Sequence, residues 1–206
     1  MRKIGILGGT FNPIHCGHLL LAEWARDTLK FDEVWFIPTG HSYMKADGDI
    51  LPGEERLHMV RLALEDNSFF RCLDMEIKRH GCTYSYETLE QLKNIYPTDD
   101  LYFIVGADCI FSIENWKCAE RIFQSCTLTA AIRDKTSWNE LEDKRKELVQ
   151  KFHCKILLLP FVSLSVSSTE IRQRIKEKKS VRYLMPDKVI RYIEEKGFYC
   201  EQEIFS

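Results

Sequence analysis

The stretch ILGGTFNPIHCGHLLLAEW, residues 6–24, decides the fold. An apolar run ends at Gly8 and Gly9, the chain crosses Thr10, Phe11, Asn12 and Pro13, and a helical pattern opens among two histidines. KIGIL at 3–7 reads as a buried strand. Residues 18–29 read as an amphipathic helix with Leu21, Ala22, Ala25 and Leu29 on one face. EVWFIP at 33–38 predicts a second strand, stopped by Pro38. Strand, helix and strand in about 35 residues make a βαβ unit.

The alternation continues outward from this unit. A helix is expected over 53–66, extended chain over FFRCLDMEI at 69–77, and a helix from Ser85 to Ile95 closed by Pro97. LYFIVG at 101–106 reads as a central strand, followed by a short helix and a second one around 117–123. CTLTAAI at 126–132 and CKILLLP at 154–160 are two more strands, separated by a charged helical stretch at 137–151. Strands that are continuous apolar runs, alternating with helices, predict an α/β fold: a doubly wound, Rossmann-like parallel sheet with helices on both faces. No linker divides residues 1–206, so one domain is expected, with a small helical C-terminal part from about 167. There Ser167 and Glu170 have capping-box spacing, which starts a helix at Ser168. Pro186 at a first helical position and Gly197 mark a last helix over 186–196.

Composition narrows the function classes. A 45% hydrophobic and 12% aromatic content suits a packed globular core, and a net charge of -2 argues against a nucleic-acid coat or an acidic-membrane binder. No run approaches the roughly 18 apolar residues of a membrane span. The eight cysteines form no CxxC half-site, and MRKIGILGG is too short in apolar residues for a signal peptide, so reduced thiols in a cytoplasmic protein are expected.

Two constellations can carry chemistry. Gly8, Gly9 and Thr10 form a turn between strand and helix, where backbone N–H groups can approach a phosphate. Their spacing is neither GxGxxG nor GxxxxGK. His15 and His18 are placed at i and i+3 of a first helical turn, on one side. They could be a metal pair, a packed or capping pair, or donors to phosphate oxygens. No further ligands stand nearby at metal spacing, and the reading favours phosphate. The second constellation is Ser167, Ser168, Thr169 and Arg172: a helix N-terminus with three hydroxyls and a planar fork suited to phosphate. Read alone it is also a well-capped helix with a surface arginine. Together the two helix ends could hold a polyphosphate without a P-loop.

GGTFNPIHCGH with SVSSTEIR resembles the (H/T)xGH and ISSTxIR motifs of the nucleotidyltransferase superfamily, here HCGH at 15–18 and VSSTEIR at 166–172. CTYSYETLEQL at 82–92, VGADCIFSIENWKCAERI at 105–122 and SVRYLMPDKVIRYIEEKGFY at 180–199 look like further segments of bacterial nicotinate mononucleotide adenylyltransferases. The resemblance implies transfer of AMP from ATP to nicotinate mononucleotide in NAD biosynthesis, with Mg2+ carried by ATP and no dedicated protein metal site. It places Gly8, Gly9, Thr10 and Phe11 along the ATP phosphate and mononucleotide sites. His15 and His18 would lie on the phosphates, and Ser167, Ser168, Thr169 and Arg172 over the triphosphate. Gly106 and Asp108 would lie by the ATP ribose and adenine, with Thr83, Tyr84 and Trp116 at the nicotinate end. Where the family carries a proline-histidine-lysine element this chain reads PTGHSYMKADGDILP at 38–52, with Lys45 as the expected mononucleotide-phosphate contact. Arg133, after a strand, is a candidate to face the phosphates. The GHSYMK loop and the superfamily's breadth keep nicotinamide mononucleotide, phosphopantetheine and a CTP-dependent reaction as alternatives. A nucleotide-binding sensor without catalysis is the rival of another class.

Overall fold

A computed structural model describes residues 1–40, 50–132, 138–162 and 164–200. Six strands form one sheet in the order β3-β2-β1-β4-β5-β6, and every pairing is parallel. The strands are β1 (Lys3–Gly9), β2 (Glu33–Pro38), β3 (Phe70–Cys72), β4 (Asp100–Gly106), β5 (Thr127–Ile132) and β6 (Ile156–Pro160). Between and after them run α1 (Cys16–Leu29), α2 (Gly53–Leu64), α3 (Ser85–Ile95), α4 (Asp108–Ser112), α5 (Ala119–Ser125), α6 (Trp138–Phe152), α7 (Ser168–Lys176) and α8 (Asp187–Lys196).

Each strand sends alternate side chains to opposite faces, and each face has its own core. Ile4, Ile6, Trp35, Ile37, Phe103 and Val105 pack under α3 to α6. Leu7, Val34, Phe36 and Ile104 pack under α1, α2, α7 and α8. At about 1.5–3 kcal/mol for each large apolar side chain removed from water, these two layers hold the sheet between the helices. Gly5, in the middle of β1, faces the Phe31 ring so closely that a Cβ there would lie 2.7 Å from it. No described helix is long and apolar enough to cross a membrane.

The elements depart from expectation in three places. The first helix begins at Cys16, because His15 is extended and serves as its N-cap. The stretch 69–77 is strand only over Phe70–Cys72. Beyond it the chain turns, with Lys78 N–H donating to Asp74 O and Arg79 N–H to Glu76 O, and buried Glu76 accepts from the Thr88 hydroxyl at 2.7 Å. The Glu76 carbonyl lies so near Gly40 that a Cβ on Gly40 would sit 2.2 Å away, which fixes this turn against the end of β2. Pro186 caps α8 rather than opening it, its carbonyl accepting from Val189 and Ile190.

The start of β1 is tied to the approach of β4 by Arg2. Its Nε and Nη2 donate to Asp99 Oδ2 at 3.1 and 2.6 Å, and its backbone N–H donates to Oδ1 at 3.2 Å. These bonds from Arg2 hold the Asp99 carboxyl below its usual range. A carboxyl whose pKa falls on folding adds stability above its unfolded pKa of about 3.9, and that share is lost as pH drops through the lower folded value. Asp99→Asn should therefore lose about 1 kcal/mol at pH 7, since Arg2 is half exposed and screened. It should also lose less than wild type on acidification to about pH 3, in urea titrations at both pH values.

Candidate active site

The direction of the connections reverses between β1 and β4, and a crevice opens outside their carboxyl ends, where open α/β sheets bind ligands. A cavity of about 540 Å³ fills it. Its lining includes Gly8, Gly9, Thr10 and His18, together with Thr83, Tyr84 and Trp116, and Gly106 from the end of β4. Trp116 meets Phe103 edge-on with centroids 6.5 Å apart, and Lys117 Nζ stands 3.8 Å over the Tyr84 ring. A lining that combines aromatic rings with a glycine loop suits a ligand with a flat ring and a phosphate.

Phe11 lies outside this lining. It is buried with φ 47, and its ring comes so near Gly9 that a Cβ there would be 3.0 Å away. The same ring meets His18 edge-on at 5.0 Å. Phe11 thus supports the loop and the histidine from below. A left-handed residue with a bulky side chain is costly, and deep burial of the ring offsets that cost.

The two histidines form the start of α1 itself. His15 is the N-cap of a reciprocal capping box with His18, whose Nδ1 accepts from the His15 backbone N–H at 3.3 Å. Their rings stack with centroids 3.7 Å apart, His15 buried and His18 reaching the cavity. The pair thus caps the helix, one of the roles its spacing allows, while His18 also lines the cavity. With Nδ1 used as an acceptor, the neutral His18 ring carries its proton on Nε2 and offers a donor there.

The second constellation docks on the same loop. Ser167 Oγ caps α7 by accepting from Glu170 N–H at 3.1 Å. Ser168 Oγ donates to Pro13 O and Arg172 Nη1 to Asn12 O, each at 2.8 Å. Gly17 explains the glycine of HCGH: a Cβ there would lie 3.0 Å from Val166 and 3.1 Å from the His15 ring. Gly17→Ala should push the two motifs apart, costing about 1–3 kcal/mol by overpacking and about tenfold in turnover by displacing His15 and α7. Melting curves and steady-state rates on the same preparation check both.

Asp108 is exposed at the first turn of α4, next to Gly106 but outside the lining. Thr169 lies in the first turn of α7, and it is outside the cavity lining, as are Ser167, Ser168 and Arg172. Lys45 and Arg133 lie outside the described residues. The cavity also brings in Thr39, Glu76 and Lys117, which the sequence did not single out. Among the described residues, no three His, Cys, Asp or Glu side chains are grouped to hold a metal ion. A second hollow of about 680 Å³ between α7 and α8 shares no lining residue with this one.

A parallel 3-2-1-4-5-6 sheet, with a glycine loop and aromatic side chains lining one cavity at its switch point, is an α/β architecture suited to binding nucleotides. The cytidylyltransferase-like family model matches residues 6–174. A Dehalococcoides mccartyi (strain CBDB1) protein named "Probable nicotinate-nucleotide adenylyltransferase" is 44% identical over 204 residues, 97% of this chain and 98% of its own. A Lachnoclostridium phytofermentans protein of the same name is 41% identical over 97% of this chain and 100% of its own. The structure of Plasmodium falciparum nicotinic acid mononucleotide adenylyltransferase complexed with NaAD superposes with a TM-score of 0.78 over 97% of this chain and 98% of that one, at 21% identity, a likeness of fold. The chain belongs to the cytidylyltransferase-like nucleotidyltransferases, and among them to the nicotinate-nucleotide adenylyltransferases.

Proposed function

We propose that the protein transfers the AMP group of ATP to nicotinate mononucleotide, giving deamido-NAD and pyrophosphate. The observation that carries this reading is one cavity that joins Gly8, Gly9, Thr10 and His18 to Thr83, Tyr84 and Trp116. A phosphate against the glycine loop and a pyridine ring against the aromatic side chains fit it together.

The acceptor's phosphate oxygen attacks the α-phosphorus, the bond from that phosphorus to the α–β bridging oxygen breaks, and pyrophosphate leaves with the electron pair. A phosphate monoester, with a second pKa near 6, is already mostly ionised at pH 7, so no strong general base is required. The chain's part is to align the reactants and to offset charge on the α-phosphate and the leaving group. His18 Nε2–H, His15 at the helix start, and Arg172 on the neighbouring helix do the latter. Ser167, Ser168 and Thr169 present the N-terminus of α7 to the triphosphate, and Gly106 and Asp108 stand on the side of β4 for the ribose and adenine. The family resemblance assigns Lys45 to the acceptor phosphate, and Arg133, from its place after a strand, is a candidate to face the phosphates. Mg2+ enters on ATP as part of the substrate.

Pyrophosphate release over a matrix of ATP and CTP against nicotinate mononucleotide, nicotinamide mononucleotide and phosphopantetheine tests the proposal. The fastest turnover is expected with ATP and the nicotinate form. Faster turnover with CTP, or none with either pyridine mononucleotide, overturns it.

A further inference from the structure

Arg56, in the first turn of α2, is 2% exposed, yet it faces no carboxylate at hydrogen-bond distance among the described residues. Its guanidinium donates to backbone carbonyls from three separate stretches of chain. Nη1 reaches Thr10 O at 2.7 Å, Nη2 reaches Thr39 O at 2.7 Å and Gly40 O at 3.4 Å, and Nε reaches Leu51 O at 2.9 Å. Thr10 ends the glycine loop after β1, whereas Thr39, Gly40 and Leu51 flank residues 41–49 on both sides. Asn12 closes the same knot: its Oδ1 accepts from Leu51 N–H at 3.2 Å and from Tyr199 Oη at 2.7 Å. The peptide groups around Leu51 are therefore gripped from both directions, the N–H by Asn12 and the carbonyl by Arg56.

Burying a guanidinium costs solvation, and that desolvation lowers the Arg56 pKa from its ordinary value. Stability alone does not call for a cation here, because well-packed apolar residues often replace buried charge without loss. What an apolar side chain cannot do is fix three backbone segments at one mutual distance. A planar fork with five donors can.

We infer that Arg56 is a positioning residue: it locks the glycine loop after β1 to the end of β2 and to the chain that re-enters at Leu51, so that phosphate donor and acceptor meet at one separation. Thr10 and Thr39, whose carbonyls it holds, both line the cavity, and Arg56 itself does not. The inference rests on the proposed adenylyl transfer for its kinetic consequence, though its structural consequence can be measured without any substrate.

Arg56→Lys keeps the charge without the fork, and Arg56→Met keeps the stem without either. Both are compared with wild type by hydrogen–deuterium exchange and by steady-state kinetics with ATP and nicotinate mononucleotide. In the folded variants the amides of Thr39, which donates to Gly9 O, and of Leu51 should exchange at least about tenfold faster, while those of β4 and β5 keep their wild-type rates. In the same samples kcat should fall about 10²-fold, and by more than either KM rises. Unchanged exchange at these two amides, a uniform rise across the sheet, an unaltered kcat beside faster exchange in an active enzyme, or failure of both variants to fold overturns the inference. A wild type inactive toward the mononucleotide instead sinks the functional reading, and the exchange pattern alone then decides the role of Arg56.

Discussion

His18→Ala lowers kcat by about 10²–10³-fold and leaves the dissociation constant for Mg·ATP within a few-fold of wild type. The expectation follows from how the ring is held. His15 stacks on it, the Phe11 ring meets it edge-on, and its Nδ1 accepts from the His15 backbone N–H. These contacts orient the imidazole, and the bond to Nδ1 puts the proton of the neutral ring on Nε2. A donor fixed in advance helps most where negative charge grows during the reaction, so its loss falls on the transition state rather than on the bound ground state. Isothermal titration with a non-transferable ATP analogue, beside steady-state rates, separates the two. Equal losses in binding and turnover would instead support a nucleotide sensor. Because alanine also removes the capping partner of His15, about 1 kcal/mol of stability goes with it, and the rates are read well below the melting temperature.

Much of this geometry was legible in the residues. Apolar runs at 3–7, 33–38 and 101–106 alternating with helices required a parallel sheet, and a parallel sheet with both faces covered has few arrangements. The paired motifs lie side by side as expected, and Gly17 against Val166 supplies the physical reason for the glycine between cysteine and histidine. The expected extended chain over 69–77 was less well founded. FFRCLDMEI has apolar residues at strand-like intervals, but the turn after Cys72 is dictated by Glu76 bending back to Thr88 and by Gly40 receiving its carbonyl. Such contacts join residues far apart in the chain and leave no local period. Arg56 went unread for a related reason. It stands at i and i+4 with buried Val60 and at i and i+8 with buried Leu64, a cation on the apolar stripe of α2. That spacing was the available signal, and in GEERLHMV it is masked by the neighbouring charges. His15 shows a different limit: a residue that caps a helix and a residue that faces a phosphate have the same sequence signature, and the proposed mechanism asks both of one side chain that the structure shows as a cap.

The same economy governs Arg172, for which Arg172→Ala should lower kcat/KM for ATP by about 10²-fold and Arg172→Lys should recover no more than about tenfold of that loss. One arm of the fork donates to Asn12 O, and Asn12 is held in turn through its side chain by Leu51 and Tyr199. This anchorage aims the remaining donors. An ammonium carries its three donors on one atom, so it lacks the spread of the fork that lets one arm hold the carbonyl while the other donors meet phosphate oxygens at a distance from it. Ser168→Ala is the control for docking, because its hydroxyl donates to Pro13 O at 2.8 Å in the same contact between α7 and the loop. If Arg172 served only to seat α7, the serine and arginine variants would lose activity alike and lysine would restore most of it. A much larger loss for Arg172→Ala than for Ser168→Ala, with melting temperatures within a few degrees of each other, places the difference on charge offered to the phosphates.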